Sequence, residues 1–190
     1  SARVLRLAGS YMATSRLPRT LQPTLNRLAL QTQASFSAVV LDADECVIVA
    51  RSAGAAEPVR HLAYGLNLGA RLPAHATSTG QVLLSNLPEV EFSAWLKGRS
   101  LARITPQTEV RVAAFKKIIQ GVRQQDCALS RSAHELGIHA LAVPLRNMQG
   151  RTLAALNVVG TAEQLTDAAV ERLWLPLLQD AATELRSLLK

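Results

Sequence analysis

Apolar positions near the beginning of the chain recur every three or four residues, which is the spacing of one face of a helix. The pattern predicts a first helix over residues 3–13 and a second over residues 20–32, separated by a break at Ser15–Pro18. Pro23 would lie near the first turn of the second helix, where a missing N–H costs little. The apolar positions of the two faces are Val4, Leu7, Ala8 and Tyr11 in the first helix and Leu21, Leu25, Leu28 and Ala29 in the second.

The next segment favours strands because its residues are small, aliphatic or β-branched. Strands are predicted at Ser35–Leu41 and Cys46–Ala50, and the acidic turn between them indicates a hairpin. A third strand is expected at Val59–Leu62, followed by a long loop. The residues that mark this loop are Gly65, Gly69 and Pro73.

Helical spacing returns after this loop. A helix is predicted to begin near Thr77, a short one follows Pro88, and a longer one would bury Val112, Phe115, Ile119 and Val122 on one face. Three short apolar runs then predict strands, the last two joined by a turn at residues 147–150. These strands are Cys127–Ser130, His139–Leu145 and Leu153–Val159.

A long final helix is predicted from Thr166, a favourable N-cap residue with Asp167 in the first turn. Pro176 lies inside it and should kink the helix or loosen one turn. Its apolar face would consist of Val170, Leu173, Leu177, Ala181, Leu185 and Leu188. Hairpin strands combined with amphipathic helices predict an α+β fold with an antiparallel sheet flanked by helices.

The composition agrees with one globular domain, since the 190 residues are 48% apolar and 18% charged. No run approaches the roughly 18 consecutive apolar residues of a transmembrane helix. Cys46 and Cys127 are isolated from each other, which predicts neither a zinc site nor a disulfide framework and fits a reducing cytoplasm. The chain does not begin with Met, so we expect a fragment of a longer protein.

Charge is distributed unevenly about a net value of +7. Residues 1–33 contain no acid, whereas acids outnumber bases over residues 161–190. The basic segment is either a surface that lies near nucleic acid or a solvated helix face, and the sequence leaves both open. Its arginines are Arg3, Arg6, Arg16, Arg19 and Arg27.

Catalytic signatures are missing from the sequence, including the nucleophile elbow, the P-loop, the zinc-protease helix motif and the dinucleotide fingerprint. The four histidines are scattered, so neither a metal nor a cofactor is expected. One enzymatic alternative remains, in which Cys127 approaches His134 or His139 in space.

The most informative stretch runs from Arg71 to Gly80 and reads RLPAHATSTG. A helix beginning here would have unpaired amides at its start, and these amides favour a carboxylate or phosphate. Small side chains and the glycine would let a ligand approach the backbone. Simple capping of a packed helix explains the same residues equally well.

Four ordered motifs resemble the effector-binding domain of IclR-type bacterial transcription regulators. Residues 71–84 match the pattern R-L-P-x-H-A-T-x-x-G-x-x-L-L, and residues 104–108 are similar to L-T-x-x-T. Residues 137–144 resemble G-x-x-x-x-A-x-P, and residues 154–158 resemble A-A-L-S/N-V. The opening residues look most like the branch that regulates aromatic catabolism, whose members respond to protocatechuate, p-hydroxybenzoate or β-ketoadipate-type acids.

This resemblance implies a GAF-like domain over residues 34–190, with residues 1–33 as a helical linker or dimerisation segment. It further implies a small organic acid as effector, assembly as a homodimer or homotetramer, and DNA binding through a winged helix-turn-helix domain preceding residue 1. By this resemblance, the ligand contacts would come from Ser78, Thr79, Gly80, Ser130, Ala140, Asn157 and Val159.

Two departures from the family pattern lie beside the expected pocket. Residues 126 and 127 are Asp and Cys where a Gly-aromatic pair is common, and residues 130–135 read SRSAHE where relatives carry acids. Arg131 therefore becomes a further candidate ligand contact, because a guanidinium can bind a second carboxylate in a bidentate manner and would favour dicarboxylates. Alternatively, Arg131 points to solvent and pairs with Glu135.

The function predicted from the sequence is a non-catalytic sensor that couples binding of an aromatic or dicarboxylic acid to operator affinity. The alternatives are a small free-standing enzyme acting on an organic acid and a purely dimerising module. Contact with a membrane is not expected.

Overall fold

A computed structural model of the chain describes residues 15–54 and 67–190. The helix predicted over residues 3–13 and the strand predicted at Val59–Leu62 lie outside these ranges. The strands are β1 (Ser35–Asp42), β2 (Glu45–Ser52), β3 (Arg71–Pro73), β4 (Ala128–Arg131), β5 (Ile138–Arg146) and β6 (Thr152–Thr161). The helices are α1 (Arg16–Thr32), α2 (Ser78–Ser85), α3 (Glu89–Leu96), α4 (Val112–Gln125) and α5, which runs through Asp167–Ala169, Val170–Trp174 and Leu175–Arg186.

The strands form one antiparallel sheet in the order β3-β2-β1-β6-β5-β4. The two predicted hairpins, β1–β2 and β5–β6, are confirmed and lie side by side at the centre, where Ser37 of β1 is opposite Asn157 of β6. The prediction of an α+β fold is therefore confirmed. The loop predicted before residue 74 contains the short edge strand β3, which pairs with β2.

Alternating residues of each strand send side chains into two separate cores, one on each face of the sheet. Phe36 and Ala38 of β1 pack on one face with α1 and α5, whereas Val39 packs on the other face with α2, α3 and α4. The sheet is thus the middle of three layers. No helix in the described parts of the chain has both the length and the apolarity needed to cross a membrane.

Helix α1 begins at Arg16, so the predicted start of this helix at residue 20 is wrong. Ser15 has an extended backbone and precedes the helix, and the helix predicted before it lies outside the described residues. Pro18 occupies the first turn, where no N–H is required, and Pro23 lies inside the helix rather than near its start. The helix continues through Pro23 because its apolar face is completely buried against the sheet. The leucines of that face are Leu21, Leu25 and Leu28.

Helix α5 begins as predicted, with the Thr166 hydroxyl accepting a hydrogen bond from the Ala169 amide at 3.3 Å. Just ahead of Pro176 the helix widens into a π turn over Val170–Trp174, which confirms the predicted loosened turn. The widening has a steric origin, since the proline ring would meet the carbonyl four residues earlier in a regular helix.

The predicted apolar face of α5 is partly wrong. Ala181 and Leu185 are buried, but Leu173 is 50% exposed and Leu188 is 56% exposed. The buried residues are instead Trp174, Leu178 and Leu189, each of which directly follows a predicted position (Leu173, Leu177 or Leu188). Because these positions are adjacent apolar pairs, the sequence pattern fits either phase of the helix. Val112 is likewise 38% exposed at the start of α4, whereas the other three predicted positions of that helix are buried.

Candidate functional site

A narrow cavity lies between the start of α2 and the face of the sheet that this helix covers. The space that the centre of a water molecule can occupy is about 60 Å³, roughly four to six times the minimum for one water, so a ligand must be small. Its walls are Ser37, Val39, Ile48, Leu72, Ala76, Thr77, Ser78, Thr79, Ser130, His134, Glu135, Ile138, Ala140, Asn157 and Val159.

The floor of the cavity follows from the two-residue period of the strands. On β4, β5 and β6, the alanines at 128, 142 and 155 pack beneath the helices. Two positions along each strand, on the same face, are Ser130, Ala140 and Asn157, which line the cavity. Because the side chains at these three positions are small or polar and do not fill the space beneath α2, this face of the sheet forms a pocket there.

The start of α2 supplies unpaired hydrogen-bond donors to the cavity. The Thr77 side chain caps the helix by accepting from the Gly80 amide at 3.2 Å, and the first helical bond runs from the Gln81 amide to the Thr77 carbonyl. The amides of Ser78 and Thr79 precede these bonds and have no acceptor among the described residues. The Ser78 hydroxyl is also buried without a partner. A negatively charged group would satisfy all three donors together.

Beneath the helix start, Cys46 is completely buried. Burial raises the pKa of its thiol to about 11, although hydrogen bonds with Thr77 and Thr79 act in the opposite direction. The thiol is therefore protonated near neutral pH and is not a nucleophile.

Asn157 presents a defined end of its side-chain amide to the cavity. Its Oδ1 accepts a hydrogen bond from the backbone amide of Ser37 at 3.1 Å. Since a backbone N–H can only donate, this bond fixes which end of the amide is the oxygen. The Nδ2 group has no acceptor among the described residues and is available as a donor.

The remaining wall is a loop of residues 132–137, which we call the 132–137 loop, between β4 and β5. Thr105 donates to the Ser132 carbonyl at 2.7 Å, and Thr108 donates to the Ala133 carbonyl at 2.6 Å. The Thr108 hydroxyl also accepts from the amides of Ile104 and Thr105. These bonds give the L-T-x-x-T-like motif a structural role, because they attach the loop to the preceding segment.

The 132–137 loop contributes the two titratable side chains found among the described cavity walls, His134 and Glu135. Burial lowers the pKa of His134 below its ordinary value of 6.5, despite the opposing effect of Glu135. His134 is therefore neutral at pH 7 and can donate one hydrogen bond and accept another.

The structure brings together six of the eight ligand contacts predicted from the sequence. Ser78, Thr79, Ser130, Ala140, Asn157 and Val159 all line the cavity. Whether they bind a ligand stays a prediction.

The other two predicted contacts, Gly80 and Arg131, lie elsewhere. Gly80 faces the backbone of Ala74, and a Cβ built on it would come within 2.0 Å of the Ala74 carbonyl oxygen. The absence of a side chain at Gly80 therefore permits close packing against the turn at Ala74–Ala76, rather than the approach of a ligand. Arg131 forms an ion pair with Asp167 of α5 on the opposite side of β4, so neither the predicted cavity contact nor the predicted Glu135 pair is found. The strand alternation turns Arg131 away from Ser130.

Sequence analysis missed several cavity walls, notably Ser37, His134 and Glu135. Ser37 could have been found from strand alternation, because it shares a face with Val39 on β1. His134 and Glu135 belong to the stretch that the family resemblance placed beside the pocket, but neither was predicted as a ligand contact. Their own approach to the cavity depends on a loop that residues 104–108 hold in place.

The enzymatic alternative lacks the required geometry. Cys127 immediately precedes Ala128, which pairs with Ala142, whereas His139 pairs with Arg131. Four strand positions separate them, or roughly 13 Å along the sheet. Burial and Asp126 raise the pKa of Cys127, and His134 lines the cavity, which Cys127 does not. Within residues 15–54 and 67–190, no group of three or more His, Cys, Asp or Glu side chains could hold a metal ion.

Comparison with known proteins gives a family match over nearly the whole chain. Residues 9–187 match the family described as bacterial transcriptional regulator IclR, C-terminal. The Pca operon regulatory protein of Acinetobacter baylyi is 41% identical over 98% of this chain and 67% of its own length. The p-hydroxybenzoate hydroxylase transcriptional activator of the same organism is 45% identical over 98% of this chain and 69% of its own length.

A solved structure shows the same fold at similar identity. It is the inducer-binding domain of a double mutant of the PobR transcription factor from Acinetobacter, in complex with 3-hydroxybenzoic acid. The TM-score is 0.84 at 45% identity, with 90% of this chain and 98% of that chain covered.

Proposed function

The chain belongs to the IclR family of bacterial transcriptional regulators, and we propose that its cavity binds a small aromatic acid whose presence modulates operator binding by the regulator. Relatives with 41% and 45% identity regulate the Pca operon and p-hydroxybenzoate hydroxylase, and the comparable inducer-binding domain carries 3-hydroxybenzoic acid. These relatives support an aromatic acid as the ligand class.

The start of α2 carries this proposal. The buried Ser78 hydroxyl and the amides of Ser78 and Thr79 form a group of unsatisfied donors at the positive end of a helix dipole. Leaving a buried polar group unpaired costs about 1–3 kcal/mol. A carboxylate placed here removes that cost, which favours an anionic ligand over a neutral one.

The other cavity walls suit a ring attached to that carboxylate. Val39, Ile48, Leu72, Ile138 and Val159 provide aliphatic surface. Ser37, Ser130 and Asn157 provide separate polar groups on the sheet. An aromatic acid with hydroxyl substituents matches this combination of one anion site, apolar walls and a few fixed polar groups.

We infer that the domain senses its ligand without transforming it and acts in the cytoplasm. The Cys46 thiol is protonated, and Cys127 lies four strand positions from His139 and outside the cavity that His134 lines, so neither of these two histidines is placed to activate Cys127. Operator contacts are expected from a winged helix-turn-helix domain of the regulator, in keeping with the family. The basic positions Arg16, Arg19 and Arg27 of α1 are then expected to give at most weak, salt-sensitive association with DNA.

Isothermal titration calorimetry with 3-hydroxybenzoate and 4-hydroxybenzoate tests the anion site. Ser78→Ala should lower the affinity roughly tenfold or more, since a hydrogen bond to a charged group contributes about 1.5–3 kcal/mol. Ser85→Ala is the matched control, because Ser85 is buried in the same helix but donates to the Val82 carbonyl at 2.8 Å. Equal affinities for both variants and the original chain would contradict the proposed site.

A further inference from the structure

We propose that Glu135 makes the cavity selective for acids that carry a single anionic group. The inference rests on the proposed function and specifies the ligand class of the same site. It follows from the charges of the side chains that surround the cavity.

The described cavity walls contain no lysine or arginine, and Glu135 is their only acid. The first carboxylate of a ligand can bind the donors at the start of α2. A second carboxylate would find no cation with which to pair, and it would be repelled by the Glu135 carboxylate. Both effects are strong in a partly buried space, where charges interact more strongly than in water.

Arg131 could have offset this repulsion, but it is directed elsewhere. Its guanidinium pairs with Asp167 on the other side of β4. Ser130, its neighbour in sequence, is the residue that faces the cavity. An arginine in the pocket would have favoured dicarboxylates. Because Glu135 lines the cavity and Arg131 does not, the cavity should favour monocarboxylates instead.

The backbone holds Glu135 at the cavity. The Glu135 carbonyl accepts from the Ile138 amide at 3.2 Å, and the Ser132 hydroxyl accepts from the Gly137 amide at 3.0 Å. Thr105 and Thr108 attach the beginning of the same loop through two further hydrogen bonds. The loop backbone therefore keeps Glu135 among the residues that line the cavity.

A neutral hydroxyl is compatible with the same surroundings. Glu135 can accept a hydrogen bond from it, and neutral His134 can donate or accept one. A hydroxylated monoacid therefore satisfies the cavity without introducing a second charge.

Calorimetry with 4-hydroxybenzoate and terephthalate tests this selectivity. The two ligands share a ring and a carboxylate and differ only in the substituent at the opposite ring position. The original chain should bind 4-hydroxybenzoate at least about tenfold more tightly than terephthalate, a modest estimate for like charges at close range in a partly exposed site. Glu135→Gln should reduce that ratio at least several-fold, and Glu135→Lys should invert it. Glu163→Gln removes an exposed acid outside the cavity and should leave the ratio unchanged.

Circular dichroism of each variant establishes that the fold is retained, and the ratio of two affinities in one variant is insensitive to partial loss of folded protein. An unchanged ratio of the two affinities in both Glu135 variants would overturn the proposed selectivity while leaving the anion site intact. If 4-hydroxybenzoate, 3-hydroxybenzoate and terephthalate all fail to bind the original chain, both the proposed function and the selectivity are overturned.

Discussion

The α-carbon of Gly80 lies so close to the Ala74 backbone that no side chain fits between them. Ser78, two residues earlier in the same motif, is instead buried with a free hydroxyl at the cavity. The motif around the helix start therefore combines a packing requirement with donors available to a ligand. Substitution of Gly80 should therefore lower the stability of the fold, whereas substitution of Ser78 should lower the affinity for the ligand.

Gly80→Ala should destabilise the fold by about 1–3 kcal/mol or more, since the atoms it would meet belong to backbone that cannot move aside easily. Gly121→Ala is the control within α4, where a Cβ meets no heavy atom within 4 Å apart from the adjacent backbone of its own helix. Because alanine favours a helix interior, that variant should gain up to about 1 kcal/mol. Urea unfolding followed by circular dichroism measures both, and equal stabilities would show that the turn can relax.

At the scale of elements, the segment 104–108 and the 132–137 loop behave as one unit. Both threonine hydroxyls are satisfied, each donating to a loop carbonyl and accepting from a backbone amide. The loop carries His134 and Glu135, so the threonines are positioning residues for the cavity wall. Their effect on a ligand must pass through the loop.

Thr108→Val should remove the bond to the Ala133 carbonyl and leave the amides of Ile104 and Thr105 without their acceptor. The expected cost is about 1–3 kcal/mol, with faster hydrogen exchange at residues 132–137 and a smaller preference for 4-hydroxybenzoate over terephthalate. Thr183→Val, at an exposed position of α5, is the control, because the Thr183 hydroxyl donates only to the Gln179 carbonyl within the same helix. Unchanged exchange in the loop would show that other contacts hold it.

For the whole molecule, the helical layer of α1 and α5 leaves large apolar side chains on its outer surface. Leu30 of α1 is 76% exposed, and Leu173 and Leu188 are also at least half exposed. Single exposed leucines are common on protein surfaces, but the family resemblance implies a homodimer or homotetramer, and this layer offers apolar positions for packing against a second subunit. The opposite layer contains the cavity, so contacts through α1 and α5 would leave the ligand site accessible.

We therefore expect the chain to form at least a dimer at micromolar concentrations, which light scattering with size-exclusion chromatography measures directly. Leu30→Lys together with Leu188→Lys should shift the population towards monomer if this layer is the interface, because a charge would be buried there without a partner. Val90→Lys is the matched control, since Val90 is exposed on α3 in the other layer. A chain that remains monomeric would contradict the prediction.

Local patterns in the sequence were sufficient for most of the elements. Strand alternation and hairpin turns act between neighbouring residues, so the antiparallel sheet and the start of α2 could be predicted. Ser130, Ala140 and Asn157 were expected at the site from the family resemblance, and strand alternation explains why they share one face of the sheet. The phase of α5 could not be predicted, because adjacent apolar pairs such as Leu177 and Leu178 fit either face of the helix.

The direction of Arg131 and the position of Glu135 were decided only by the tertiary structure. The first depends on Asp167, 36 residues away, and the second on hydroxyls at 105 and 108, more than 20 residues earlier. Charge at the cavity is thus set by long-range contacts, which no local pattern in the chain records.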